Sequence, residues 1–236
     1  MTEQEWPRVA GRIFVLSVGK AATQMAAAIY DRLPREAEGL IVTRRGYAQA
    51  GFAPDNLTII EASHPVPDDA GEKAAQLALS AADALAEDDL LLVLMSGGAS
   101  ALLPAPADDI SLTEKQMITK ALLRSGAPID QMNIVRKHLS AIKGGRLAER
   151  AFPARTHMIA ISDIPGDDVS MIGSGPSIAD RSTCAEALAI IDRYSISTPD
   201  SIRSNLDSGK LETPKPDHPK MQRISASLCA RPADMC

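Results

Sequence analysis

Two segments rich in glycine and serine, with a scattered set of cations and acids, carry the chemistry this sequence offers. Ser96-Gly-Gly-Ala-Ser100 follows an apolar run. Gly97 and Gly98 remove side chains from a turn at a potential helix start, so backbone N–H groups can close on a phosphate or carboxylate. A tight turn between strand and helix is the plainer account. Gly173-Ser174-Gly175-Pro176 repeats the theme, again with a turn as the simpler reading. Lys20 stands after another apolar run, either to neutralise a phosphate or substrate oxygen or to face water. Asp163, Asp167 and Asp168 offer the oxygen ligands that Mg²⁺ takes, and the same residues serve equally as a cap and turn. Arg136, Lys137, His138, Lys143 and Arg146 make a basic stretch. Arg136 and Lys143, seven apart, share a helix face and suit an anion clamp; a solvated surface helix is the alternative. His64, between Ser63 and Pro65, is an acid–base group or a turn residue.

These residues need elements to hold them. Residues 13–18 form a short apolar strand, and residues 21–33 a helix with Met25, Ile29 and Leu33 on one face. Strands follow at 39–43 and 57–60. A helix over 69–86 opens on an Asp69-x-x-Glu72 capping box. Leu90 to Met95 is apolar without alternation, the mark of a strand buried on both faces of a parallel sheet. A helix over 113–124 is capped by Ser111 and Glu114. Another runs from 128 to about 149, which Gly144-Gly145 can kink or end. Residues 157–162 give a fifth strand, and Thr183 with Glu186 caps a helix reaching about 194.

This alternation is the signature of a doubly wound α/β domain with a mostly parallel sheet and helices on both faces. Ligands bind beyond the carboxyl ends of such strands. The loops at 17–20, 63–67, 96–100 and 162–168 therefore gather at one edge. Residues 1–200 read as this domain. Residues 201–236 hold six Lys or Arg against four Asp or Glu, with four prolines, and read as linker or disordered tail.

The formal charge of -5 and only seven aromatics among 236 residues exclude a basic, base-stacking nucleic-acid surface. The six apolar residues from Leu90 to Met95 fall far short of the ~20 that span a bilayer. The acidic start is unlike a signal peptide, and Cys184, Cys229 and Cys236 match neither a disulfide framework nor metal spacing. A cytoplasmic protein with reduced thiols is expected. Walker, Gly-x-Gly-x-x-Gly and Gly-x-Ser-x-Gly motifs are all missing.

Seven segments together resemble the glycerate 2-kinase family of MOFRL type. They are Val18-Gly-Lys-Ala-Ala22, Ala62-Ser-His-Pro-Val-Pro67, Ser96-Gly-Gly-Ala-Ser-Ala-Leu102, Asn133-Ile-Val-Arg-Lys-His-Leu-Ser140, Lys143-Gly-Gly-Arg-Leu147, Ser162-Asp-Ile-Pro-Gly-Asp167 and Gly173-Ser-Gly-Pro176. They occur in family order across about residues 12–195. The resemblance implies ATP-dependent phosphorylation of D-glycerate at its 2-hydroxyl, with Mg²⁺, in a cleft between two α/β domains. It makes Lys20 the essential cleft lysine and Asp163 a catalytic or metal-associated acid, with the 96–100 loop on substrate or phosphate. The implied partners are a small hydroxy acid and a nucleotide. Family members also carry the label hydroxypyruvate reductase, in tartrate and glyoxylate utilisation. That NAD(P)H-dependent reading ranks second because the dinucleotide glycine fingerprint is missing. The family's chain is longer, with a second domain that supplies an arginine and an acid, and nothing after Pro219 resembles it. A third reading is therefore a truncated product with little activity, its uncovered domain face open to self-association.

Overall fold

The computed structural model describes residues 9–162 and 168–230. Six strands form one sheet: β1 (Ile13–Val18), β2 (Glu38–Arg44), β3 (Leu57–Ala62), β4 (Leu90–Met95), β5 (Arg155–Ile161) and β6 (Ile224–Ala230). Their order is β3-β2-β1-β4-β5-β6, and every neighbouring pair is parallel. The α/β expectation holds, with a sixth strand and no antiparallel pair in the sheet.

Burial explains the centre. All six residues of β4 are buried, so its alternate side chains serve two separate cores. Leu90, Leu92 and Leu94 join Val15 and Ile41 against Ala22, Met25 and Ala26 of α1 (Ala22–Tyr30). Leu91, Val93 and Met95 join Leu16 and Val18 on the other face. There they meet α2 (Asp69–Asp83) and α6 (Arg146–Ala151). Ala74, Ala75, Ala78 and Ala82 let α2 lie close to the sheet, since no long side chain separates them. Asp68, one residue before the expected cap, closes the start of α2 by accepting from Gly71 N at 3.0 Å.

A further helical layer has its own core. It consists of α4 (Leu112–Arg124), α5 (Ile129–His138), α7 (Cys184–Arg193) and α8 (Asp200–Asp207), with Ile118, Leu122, Val135, Ala187, Ile191, Ile202 and Leu206 inside. The expected capping boxes Ser111/Glu114 and Thr183/Glu186 open α4 and α7. One turn of helix, α3 (Ala99–Leu102), follows β4.

Two expectations need correction. The helix expected over 128–149 is two helices: α5 stops at His138, and α6 starts at Arg146 after Gly144 and Gly145, at φ +59° and +87°. The two glycines do not end α5, whose C-cap is Leu139 at φ -84°; Gly145 instead stands at the N-cap of α6. The tail from 201 is also not a disordered linker through its described part. It contains most of α8 and all of β6, which pairs with β5 from Thr156↔Ile224 onward. Its described prolines sit outside helices and strands: Pro214 and Pro216 lie between elements, and Pro219 opens a short 3-10 turn. Among the described residues, no helix is long and apolar enough to cross a membrane.

The docked tail has a measurable consequence. Leu206 and Ile202 are buried in the helical core. Leu206→Ala is therefore expected to lower unfolding free energy in urea by about 2–5 kcal/mol, as for a core leucine. A loss under ~0.5 kcal/mol, the surface value, would place this segment outside the fold.

Candidate functional site

The chain leaves β1 toward β2 and β3 but leaves β4 toward β5 and β6, so a crevice opens between the turns that follow β1 and β4. Val18 and Met95 are register partners, which puts both turns at one level. They are stitched together: Ser96 N donates to Val18 O at 3.0 Å, Lys20 N to Gly97 O at 2.9 Å, and Ala21 N to Ser96 Oγ at 3.1 Å. Gly19 is at φ +130°, and a Cβ there would stand 2.2 Å from Ser96 Oγ, so only glycine lets the turns cross. Lys20 is exposed at this crossing, directly before α1.

Beside the crossing lies a cavity of about 240 Å³. His64, Gly97, Gly98, Ser100, Asn133, Arg136, Gly173 and Ser174 contribute its polar and backbone lining, and Leu123, Ile129 and Met132 an apolar wall. Gly98 has φ +87°, and a Cβ on it would lie 3.1 Å from the His64 ring and 3.6 Å from Lys20 Cε. The lysine and the histidine therefore converge on the glycine turn. Across the cavity, Arg136 Nη2 donates to Ser100 Oγ at 2.5 Å and Nη1 to Asn133 Oδ1 at 3.4 Å. Ser174 Oγ donates to Asn133 Oδ1 at 3.1 Å and lies 3.0 Å from Ser100 Oγ. Ser174 holds φ +63° between Gly173 at +60° and Gly175 at +58°. For a residue with a side chain this costs of order 1–2 kcal/mol.

Arg136 decides the electrostatics. Burial lowers its pKa from the ordinary 12.5, yet among the described residues no carboxylate pairs with it. Its acceptors are a hydroxyl and an amide, neither of which cancels the charge. A half-buried cation with neutral partners at a cavity wall suits an anion, best a carboxylate or phosphate that takes two N–H bonds.

The structure thus gathers Lys20, His64, Ser96, Gly97, Gly98, Ser100, Arg136, Gly173 and Ser174 at one edge, with Gly175 just behind. Three expected cations are placed elsewhere. Lys143 is buried and donates from Nζ to Leu103 O at 2.8 Å; burial, then repulsion from Arg136, pushes its pKa well down. Because α5 stops at His138, Lys143 lies beyond it and shares no helix face with Arg136. Lys137 is buried against Asp180 at 3.1 Å. Arg146 donates to the carbonyls of Lys137 at 2.8 Å and Leu211 at 2.6 Å, and also to Ser140 O, so it ties the tail to α5. Each of the three spends donors on acceptors inside the fold. Asp163 and Asp167 lie outside the described residues, while Asp168 is exposed and accepts from Ser170 N at 2.8 Å. Asn133 was not singled out as a site residue; its position three residues before Arg136 on one helix was the available signal.

A family profile described as "Domain of unknown function (DUF4147)" matches residues 2–207. A protein of Agrobacterium vitis, provisionally named hydroxypyruvate reductase, is 50% identical over 213 residues, covering 89% of this chain and 47% of the relative. D-glycerate 2-kinase of Thermotoga maritima is 43% identical over 205 residues, covering 86% and 48%. The crystal structure of a glycerate kinase from Thermotoga maritima superposes with a TM-score of 0.83 at 41% identity, covering 92% of this chain and 50% of that one. The chain spans about half the length of the curated relatives it matches.

The Lys137–Asp180 pair carries a pH signature. Burial pulls the Asp180 carboxyl up, but the Lys137 charge and the Ser182 hydroxyl and amide outweigh it and hold the pKa below 3.8. The depressed value stabilises the fold fully above the unfolded pKa of about 3.9, and this is lost as pH falls through the folded value. Asp180→Ala, which leaves Lys137 buried and unpaired, is expected to cost about 3–5 kcal/mol at pH 7. Asp180→Asn should flatten the loss of stability below pH ~4 in urea titrations. An unchanged acid limb in that variant would refute the assignment.

Proposed function

This chain belongs to the DUF4147 family, and on that premise we propose that it forms the glycerate-binding half of an ATP-dependent glycerate 2-kinase. The observation that carries the proposal is the half-buried Arg136 guanidinium, neutrally partnered at a cavity that His64 also lines, with Lys20 beside the Gly98 turn. The glycerate carboxylate meets Arg136 and Ser100. Its 2-hydroxyl then lies toward the Gly97–Gly98 turn, where His64 accepts the hydroxyl proton. The oxygen bonds to the terminal phosphorus of ATP as the bond to the bridging oxygen breaks and ADP departs. Lys20 offsets charge on the transferring group, where positioning and neutralisation provide most of the catalysis.

Magnesium is a separate matter. Among the described residues no carboxylate lines the cavity, so those residues do not fit the ion. Asp163 and Asp167 are the acids proposed for it from the sequence. A cytoplasmic setting belongs to the same proposal, supported by the free thiols of Cys184 and Cys229.

A reductase is the second reading. The strand order equals that of dinucleotide-binding sheets, and the relative from Agrobacterium vitis bears a reductase name. The β1–α1 turn, Gly19-Lys20-Ala21, argues against it, because its one glycine is followed by a lysine where a pyrophosphate would approach.

Calorimetry with D-glycerate tests the site. Arg136→Gln should weaken binding ~10- to 100-fold, the size of a lost charge-assisted hydrogen bond. In an ATP-coupled assay, Lys20→Ala should lower phosphoglycerate formation by about 10³-fold, with NADH and NADPH irrelevant. Unchanged glycerate affinity in Arg136→Gln would remove the cavity from the reaction. Nicotinamide oxidation with hydroxypyruvate, abolished by Lys20→Ala, would establish the reductase instead.

A further inference from the structure

Away from the cleft, three side chains from three distant parts of the chain meet. His138 ends α5, Cys184 begins α7, and Glu212 lies in the segment after α8. His138 and Cys184 are buried, and the imidazole nitrogen, thiol sulfur and carboxylate oxygen all lie within 4.8 Å of one another. His138 Nε2 is 3.2 Å from Glu212 Oε1.

Hydrogen bonding orients the imidazole. His138 Nδ1 lies 2.8 Å from Ile134 O, and a carbonyl only accepts, so Nδ1 donates. Nε2 therefore faces Glu212 Oε1, which also accepts from Thr213 N at 3.1 Å and from Lys215 Nζ. The space between Nε2 and Oε1 takes either a proton on Nε2 or a metal ion. A proton satisfies the imidazole and carboxylate but gives no role to the thiol beside them. An imidazole whose other nitrogen is fixed by a backbone carbonyl is the usual arrangement of a metal-ligating histidine.

We propose that His138, Cys184 and Glu212 form a zinc site. Nitrogen, sulfur and oxygen donors together favour Zn²⁺ over Mg²⁺ or Ca²⁺. At Zn–ligand lengths of about 2.0–2.3 Å, tetrahedral donors stand roughly 3.3–3.7 Å apart. The His138–Glu212 pair is already that close, and the cluster as a whole needs to close by only about 1 Å. A cavity of about 410 Å³ lined by Cys184 and Glu212 adjoins the cluster. Burial and Glu212 raise the thiol to about 11, so binding releases one proton from Cys184. Thiolate and carboxylate then balance the dication. Two other cations face the cluster: Lys215 Nζ, 2.5 Å from Glu212 Oε1, and Arg146, which donates to the Leu211 and Glu212 carbonyls. They weaken binding relative to an all-anionic site, so the ion is exchangeable. Lys215 keeps Thr213 Oγ1 at 3.0 Å and Ser182 O when Oε1 turns to the metal. The ion would tie α5, which carries Arg136, to α7 and the tail.

The test uses the whole chain with Cys229→Ser and Cys236→Ser as background, so that Cys184 supplies the only thiol. Co²⁺ should give the thiolate-to-cobalt charge-transfer band and tetrahedral ligand-field bands, both erased by added Zn²⁺. Zn²⁺ competition against a chromogenic chelator should show affinity reduced at least ~10-fold by Cys184→Ser and by His138→Gln. Circular dichroism checks that each variant folds. Equal Co²⁺ spectra in the background protein and Cys184→Ser would overturn the proposal. So would an Nε2 proton resonance on His138 that persists at saturating Zn²⁺, which would establish a plain imidazolium–carboxylate pair.

Discussion

The pairing of β1 with β4 is the constraint from which the cleft follows. Both strands are buried on two faces, so their side chains fix register from both sides, and a slip by one residue would exchange the two cores. With Val18 level with Met95, the turns that follow must cross within a hydrogen bond of each other. Gly19 yields to Ser96, Lys20 is carried to the lip, and the Gly97–Gly98 turn is pressed toward His64. Neither turn has this shape without the other.

The second organising feature is positive charge in the interior. Lys115, Arg136, Lys143 and Arg146 are all drawn into the region around α4, α5 and α6. Lys115 donates to Ala105 O at 3.2 Å and Leu139 O at 2.6 Å, Lys143 to Leu103 O, and Arg146 to four carbonyls. Carbonyl dipoles solvate these cations without neutralising them, and burial, aided by their mutual repulsion, pushes Lys115 and Lys143 well down. Three of the four spend their donors on the backbone. Arg136 alone turns its donors to side chains at a cavity, so its positive charge is directed there.

The same layer explains why the tail is part of the fold. Ile202, Leu206 and Leu211 complete a core begun by α4, α5 and α7, while Arg146 and the Cys184 amide hold the segment after α8, at Leu211 O and Glu212.

The sequence by itself determined the first five strands, the capped starts of α4 and α7, and the edge where the loops collect. Those features are local: an unalternating apolar run such as residues 90–95 specifies two buried faces, and a Ser-x-x-Glu spacing specifies a helix start. It also selected Lys20, Ser100 and Arg136, because strand ends and buried-helix cations are legible in one dimension. Only the tertiary structure separated Arg136 from Lys137, Lys143 and Arg146. All four have one chemistry in the sequence, and their roles depend on which acceptor each long side chain reaches: Asp180, Leu103 O, Leu211 O or a cavity. Likewise β6 and the His138–Cys184–Glu212 cluster left no sequence signal, because an edge strand is fixed by the open hydrogen bonds of β5. The cluster's members stand 46 and 28 residues apart and become neighbours only when three helices pack. Contacts that close long loops are set by the energy of the whole core, which no local spacing records.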